Sequence, residues 1–380
     1  MAEASTPARF DTVDFDLAGH VGIRLIDADA RDRGRVVGQL GPIEVPLDRE
    51  PDITVRFVDR VEHGPLTYVA FGESAFDDRS FLLLSGAGRI KAKARIPFQD
   101  IGGRCDIVCE RALPGVPHLV DIVNLAALAK GILPLHASAF FYDGRGVLVV
   151  GWAKGGKTEA LLAFMQRGAR YVGDEWVYLT PDGRMFGIPE PIRLWRWQLR
   201  QLPALEARAA RSDRLRMTML DALAGGAERL APGRGGGFFG AALRRVVPVL
   251  RRQVNLRVPP ARLFGADRVQ GTAPVDTVIF TSSHDSPDVR VEEADAGEVA
   301  RRMAASLAQE RHRLVESYRQ FRFAFPDRRS DALEGAPELE AQLLASALAD
   351  RRMSWLRHPY PCEIDALFPP IAAVLADARP

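Results

Sequence analysis

The chain is poor in cysteine and, for a protein with 51 basic residues, very poor in lysine. Three cysteines in 380 residues, Cys105, Cys109 and Cys362, exclude a disulfide-built scaffold and fit a reducing compartment. Cys105 and Cys109 are spaced to share one face of a strand as core thiols, and no Cys/His group with zinc spacing completes a metal site around them. A long apolar run is also missing. The best candidate, "LVDIVNLAALAKGILPLHASAFF", is interrupted by Asp121, Asn124, Lys130 and Pro134, so a buried helix followed by a strand is expected there and not a membrane span. The opening "MAEASTPARFDTVDFDL" lacks a basic segment leading into an apolar one, which points away from secretion and towards the cytoplasm.

What is present is an ordinary globular composition, 47% apolar and 26% charged, in a chain long enough for one large domain and a smaller one. The net charge of +2 is unevenly spread. From Ile192 to Arg262 there are 15 arginines against 4 acids, a local charge of +11, which leaves −9 for the remainder. Such an imbalance suits an anionic partner; a solvated, arginine-biased insertion is the alternative.

Residues 1–115 form a β-rich N-terminal domain on this reading. "ITVRFV", "LTYVAFG", "FLLLSG", "IKAKARI" and "CDIVCE" are short alternating or apolar runs between turn formers. Residues 116–380 make up the second domain. Its first helix spans Pro117 to Lys130, with Val120, Ile122, Val123, Leu125 and Leu128 on the apolar side and Gly131 as its stop. Two apolar runs around Asp143-Gly144 then read as a hairpin. "ARYVGDEW" reads as a strand ending in Asp174-Glu175, and "VYLTPDGRMFGI" as a further hairpin. An insertion at about 195–262 is expected to be partly helical. "VDTVIFTSSHDS" is a buried strand, Asp295 to about Tyr318 a long amphipathic helix, and the part after Ala336 mostly helical.

The informative stretch is "GWAKGGKT", Gly151 to Thr158, which fits G-x-x-x-x-G-K-[ST]. At this chain's residue frequencies roughly 0.002 chance matches to that pattern are expected, and two of its five lysines, Lys154 and Lys157, fall in this loop. The apolar "GVLVV" precedes it and the helical pattern "KTEALLAFMQRG" follows it. A strand–loop–helix turn of this kind points successive backbone N–H groups at an anion and adds the positive end of the helix. Gly151, Gly155 and Gly156 permit the tight wrap, Lys157 reaches the terminal phosphates, and the Thr158 hydroxyl binds Mg²⁺. Glu159, Asp174 and Glu175 are carboxylates placed to orient Mg²⁺-bound water or to take a proton from a hydroxyl. His136 begins the first strand of the hairpin. His284 after the later strand and Arg193 after "PEPI" are further candidates.

The run "LPLHASAFFYDGRGVLVVGWAKGGKTEALLAFMQRGARYVGDEWVYL" resembles the catalytic domain of the HPr kinase/phosphorylase family. The shared features are an LHAS-like strand, a hairpin into G-x-x-x-x-G-K-[ST]-E, a helix ending in R-G and a strand ending in an acidic pair. It is more similar still to the HPr-kinase-like proteins of peptide biosynthesis clusters, which share the look of "GIPEPIRL". The resemblance covers about residues 118–194. It implies an α/β fold with a mixed sheet and a P-loop, as in phosphoenolpyruvate carboxykinase, with a smaller β-rich domain before it and helices after. It further implies that Lys157 binds phosphate, that Thr158 and Glu159 serve Mg²⁺, that Asp174 is the base on the accepting hydroxyl, and that His136 adjoins the phosphates. Glu175 stands where the family has a second Asp. The family's glycine-rich second signature is missing where the arginine-rich segment stands, so neither phosphorylase activity nor HPr as substrate follows.

The function expected is an ATP- and Mg²⁺-dependent phosphotransferase acting on a hydroxyl, a serine of a peptide or protein. Alternatives are a kinase for a small alcohol such as free serine, or an ATP-gated binding protein that uses its basic segment. That segment carries few aromatics beyond Trp195, Trp197, Phe238 and Phe239, which disfavours nucleic acid as its partner. An oligomer is compatible with all three.

Overall fold

The computed structural model describes residues 11–69, 74–83, 92–208, 211–230, 255–349 and 351–377. The end of "LTYVAFG", the second half of "FLLLSG", the start of "IKAKARI" and the "GRGGGFFG" and "RRVVPVLRRQV" parts of the basic segment lie outside them.

The N-terminal part is a mixed sheet built from β1 (Asp11–Leu17), β2 (Val21–Ala28), β3 (Ile53–Val58), β4 (Thr67–Val69), β5 (Ser74–Phe76), β6 (Ser80–Leu83), β7 (Ala94–Pro97) and β8 (Cys105–Glu110). Their order is β1-β2-β3-β8-β7-β6-β5-β4. A helix that the strand-rich pattern did not announce, α1 (Ala30–Leu40), links the parallel strands β2 and β3. Two glycines, Gly34 and Gly38, weaken its helical propensity, and it starts because Asp29 and Asp32 form a reciprocal cap.

The larger part follows in chain order as α2 (Leu119–Ala129), β9 (Leu133–Tyr142), β10 (Arg145–Gly151), α3 (Lys157–Met165), β11 (Arg170–Gly173), β12 (Trp176–Leu179) and β13 (Arg184–Gly187). The basic segment contributes β14 (Ile192–Trp195), α4 (Arg196–Gln201), α5 (Pro203–Arg208), α6 (Arg211–Leu230), β15 (Asn255–Val258) and α7 (Pro260–Phe264). The chain ends with β16 (Thr272–Pro274), β17 (Thr277–His284), β18 (Arg290–Glu293), α8 (Ala296–Glu310), α9 (His312–Ala324), α10 (Asp331–Leu348), β19 (Arg352–Pro359) and α11 (Phe368–Asp377).

The main sheet runs β16-β13-β12-β9-β10-β17-β19-β18, with β11 also paired to β9. At its centre β10, β17 and β19 are parallel, while β9 and β10 form the antiparallel hairpin read from the sequence. Successive residues of a strand point to opposite faces, so a strand covered on both sides is apolar throughout. Val147 and Val149 of β10 accordingly pack with α3 and Ile371 of α11 on one face, and Leu148 and Val150 with Val299, Met303 and Leu307 of α8 on the other. The result is a helix–sheet–helix sandwich around the strand that carries the loop.

Three expected elements differ. "ARYVGDEW" is two strands, broken at Asp174-Glu175. The long helix from Asp295 is interrupted at Arg311, whose guanidinium turns inward to a buried pairing with Glu340 of α10. The C-terminal remainder contributes a central strand, β19, whose identity depends on pairing with β17, Thr277 opposite Arg352, far earlier in the chain and not on its own pattern. The core also crosses the expected boundary at 115. Tyr318 and Phe321 of α9 join Phe76, Phe81 and Phe98 of the first sheet in one aromatic cluster, with the Phe98 and Phe321 ring centroids 5.0 Å apart.

All three cysteines are buried and free, and burial pushes each thiol up to about 12. Iodoacetamide at neutral pH should therefore leave the native protein unmodified and alkylate all three thiols in denaturant. Rapid labelling of the native chain would mean that the cores around β8 and α11 are open.

Candidate functional site

The phosphate-loop pattern occupies the turn from β10 into α3. Its glycines are required by what lies beneath. A Cβ on Gly151 would stand 2.4 Å from the Thr281 carbonyl of β17, and one on Gly156, at φ +97°, 2.1 Å from Nε2 of His358 on β19. The same two neighbours hold the loop: the Thr281 hydroxyl donates to the Gly155 carbonyl at 2.7 Å, and Nε2 of His358 lies 2.9 Å from that oxygen. Lys154 takes a left-handed conformation at φ 61°, an uncommon state for a residue with a side chain.

Lys157 opens α3 and is 5% exposed. Its ammonium donates to the carbonyls of Gly151 at 3.2 Å and Trp152 at 2.9 Å, and burial lowers its pKa. Thr158 follows, its hydroxyl 3.2 Å from both carboxylate oxygens of Asp174. Glu159 comes next, and its carboxylate accepts from Nε2 of Gln198 at 2.8 Å. Gln198 is itself held by the Trp195 backbone N–H at 2.7 Å.

Asp174 and Glu175 owe their placement to the break between β11 and β12. Both strands pair with β9, β11 along Ala139–Phe141 and β12 along Leu133–His136. At the step between them Glu175 adopts φ 68° and its carbonyl accepts from the Ala137 N–H at 3.1 Å. The two carboxylates are thereby turned onto β9. Asp174 receives the Ser138 hydroxyl, and Glu175 Oε2 lies 3.1 Å from Nε2 of His136. A close approach makes room for the step: a Cβ on Gly187 of β13 would stand 2.5 Å from Cα of Gly173. A backbone strain of this kind persists only where the surroundings over-determine it.

Electrostatics follow from burial. Asp174 is pushed up to about 7 by its removal from water and by the neighbouring Glu175 charge; hydrogen bonds from Ser138 and Thr158 and the Lys157 charge pull the other way. The hydrogen bond with His136 holds Glu175 below the usual carboxylate range. Burial opposes a charge on His136, but its bonds to Glu175 and to Glu310, the latter at 2.6 Å, outweigh it and raise its pKa.

Nine of the ten candidate residues line one cavity of about 200 Å³: His136, Lys154, Gly155, Gly156, Lys157, Thr158, Glu159, Asp174 and Glu175. Gly151 lies below it at the end of β10. Arg193 lines the same cavity, as do Trp195, Gln198 and Tyr360. His284 does not; it lies three residues beyond Thr281 on β17, where its Nδ1 accepts from the Ser286 N–H. Sequence reasoning missed Ser138, Thr281, His358, Glu310 and Gln198. Only Ser138 left a signal, two positions after His136 on the same strand face.

The donors facing the cavity near Thr158 are hydroxyl and carboxylate oxygens, the hard ligands that Mg²⁺ takes, one or two from protein and the rest from water and phosphate. The residues therefore fit the ion. No group of three or more His, Cys, Asp or Glu arranged as an all-protein metal cage occurs among the described residues, and Mg²⁺ bound with a nucleotide does not need one. No helix among the described residues is long and apolar enough to cross a membrane.

No family model matches the chain, and no curated protein matches it. Among solved structures, the HPr(Ser) kinase/phosphatase from Coxiella burnetii is similar at 17% identity over 42% of this chain and 76% of that one, with a TM-score of 0.18. That likeness is distant.

Because the Gly173–Gly187 contact leaves no room for a methyl group, Gly187→Ala should destabilise the fold by on the order of 1–3 kcal/mol in urea denaturation. An unchanged midpoint would show that the step carrying Asp174 has slack and is not set by this contact.

Proposed function

We propose that this chain is an ATP- and Mg²⁺-dependent phosphotransferase that phosphorylates a hydroxyl, a serine of a peptide or protein. The observation that carries the proposal is the meeting of Asp174 with Thr158 at 3.2 Å, directly beside a phosphate loop whose lysine is buried in the same cavity. A loop alone supports binding; a carboxylate at the loop's mouth supports transfer.

In this reading the N–H groups of residues 153–158 and the Lys157 ammonium hold the β- and γ-phosphates of ATP. Thr158, with help from Glu175, would hold Mg²⁺, which would neutralise phosphate charge when bound. Asp174 takes the proton from the acceptor hydroxyl as its oxygen bonds to the γ-phosphorus and the bond from that phosphorus to ADP breaks. Ser138 fixes the carboxylate of Asp174 for that task, and His136, braced by Glu310, fixes Glu175. Transfer of this type is mostly positioning and charge stabilisation, which suits a site assembled from rigid strand ends. The sequence resemblance to HPr-kinase-like proteins supports the same roles for Lys157, Thr158 and Asp174.

Two variants test this. Lys157→Ala should weaken ATP binding measured by calorimetry. Asp174→Asn should bind ATP nearly as well as the native chain yet transfer γ-label to a serine-peptide pool about a hundredfold more slowly or worse. Equal transfer by Asp174→Asn and the native protein would remove Asp174 as the base.

A further inference from the structure

A second cavity, of about 180 Å³, lies between α1 and the β14–β15 ribbon. Gly38, Trp176, Glu190, Arg193 and Arg257 line it together with Glu175. It meets the phosphate cavity at Glu175 and Arg193, which line both, and no residue of the loop 151–156 borders it. The N-terminal part closes one side, because the end of α1 at Gly41 packs directly on the Pro189 carbonyl, just before Glu190.

Arg193 and Arg257 stand directly opposite each other across the antiparallel ribbon, where like charges repel. Both are exposed, and neither guanidinium has an ion pair or hydrogen bond among the described residues. Glu190 lines the same cavity with one carboxylate oxygen, Oε1, buried and without a hydrogen-bond partner. Glu175, the other acid there, is already engaged by His136. A solvated arginine on a ribbon needs no explanation. Two of them side by side, over an orphaned carboxylate oxygen inside a cavity, call for a ligand with an anionic group for the arginines and an N–H donor for the acid.

Transfer in line places the donor phosphates and the accepting oxygen on opposite sides of the phosphorus. The loop lines the cavity that holds Asp174, and the second cavity joins that one at Glu175 and Arg193 without bordering the loop. Resting on the phosphotransferase reading, we propose that it is the acceptor site: Arg193 and Arg257 select an acceptor whose hydroxyl is flanked by a carboxylate, and Glu190 takes an N–H from the same molecule. The flanking carboxylate has two sources, an acidic side chain beside the serine or a chain terminus. The transfer step itself is unchanged, with the acceptor's proton going to Asp174 and ADP as the leaving group.

The full-length protein, loaded with Mg²⁺ and a non-hydrolysable ATP analogue, would be titrated with two pairs of short serine peptides. One pair carries Asp or Asn after the serine with both ends blocked; the other ends in serine with a free or an amidated terminus. Label transfer from γ-labelled ATP to the same peptides would be measured in parallel. The native chain should favour one acidic member over its neutral twin by about tenfold, and the pair showing the preference identifies the source of the carboxylate. Arg257→Met should lose most of that preference, through KM and not kcat, while Arg257→Lys keeps part of it and melting curves stay superimposable. Glu190→Met, which removes the accepting oxygen, should weaken binding of both members of a pair alike. Equal treatment of acidic and neutral peptides by the native chain, absence of binding to either acidic peptide, or a full preference retained in Arg257→Met would each overturn the assignment. Arg257-dependent binding without label transfer would instead uphold the cavity and overturn the phosphotransferase reading; label passing equally to acidic and neutral peptides would do the reverse.

Discussion

Everything at this site depends on the loop after β10 being pressed against the two strands that follow β10 in the sheet. The Gly155 carbonyl accepts from Thr281 on β17 and faces His358 on β19, and there is no space at Gly151 or Gly156 for a side chain between loop and sheet. A free glycine-rich turn samples many shapes and would have to lose that freedom on binding an anion. Here the ordering is done in advance by parallel strands whose pairing is itself buried in the helix–sheet–helix sandwich. The cradle is therefore as rigid as the sheet.

The same rigidity explains how so many charges are gathered out of water. Lys157, Asp174, Glu175, His136 and Glu310 share one small volume, and burying any of them alone would be costly. Each has a specific counterpart: the lysine two loop carbonyls, Asp174 two hydroxyls, Glu175 and Glu310 the two nitrogens of one imidazole. The groups left over, one oxygen of Glu190 and the two facing arginines, lie on the side towards the N-terminal part. Satisfied polar groups hold the site together, and in the proposal above the groups left over are where a second molecule would be recognised. If that cavity takes the acceptor, as proposed, the N-terminal sheet has a physical role, since α1 borders the cavity and the aromatic cluster of Phe98 and Phe321 anchors that sheet to the C-terminal helices.

Legibility in the sequence tracked how local the determining forces were. The strand–loop–helix around Gly151–Thr158, the β9–β10 hairpin and α2 could be read directly, because turn residues, spacing and apolar runs act over a few positions. Strand β19 could not: its arginines and single buried residues acquire meaning only beside β17. The split of "ARYVGDEW" was equally hidden, since nothing in Asp174-Glu175 announces a left-handed residue; the step is imposed by two strands sharing β9 and by Gly187 closing on Gly173.

By itself, then, the sequence determined that the chain has a strand–loop–helix turn with the G-x-x-x-x-G-K-[ST] pattern, which lysine and threonine stand in it, and that an acidic pair follows one helix later. These are consequences of backbone geometry that eight consecutive residues can specify. Only the tertiary structure decided which partners those residues meet: that Ser138 holds Asp174, that Glu310 braces His136 across 174 positions of chain, that Thr281 and His358 support the loop, and that Arg193 and Arg257 face each other over Glu190. Contacts between distant segments are chosen by the packing of whole layers, and no short window of sequence contains that information.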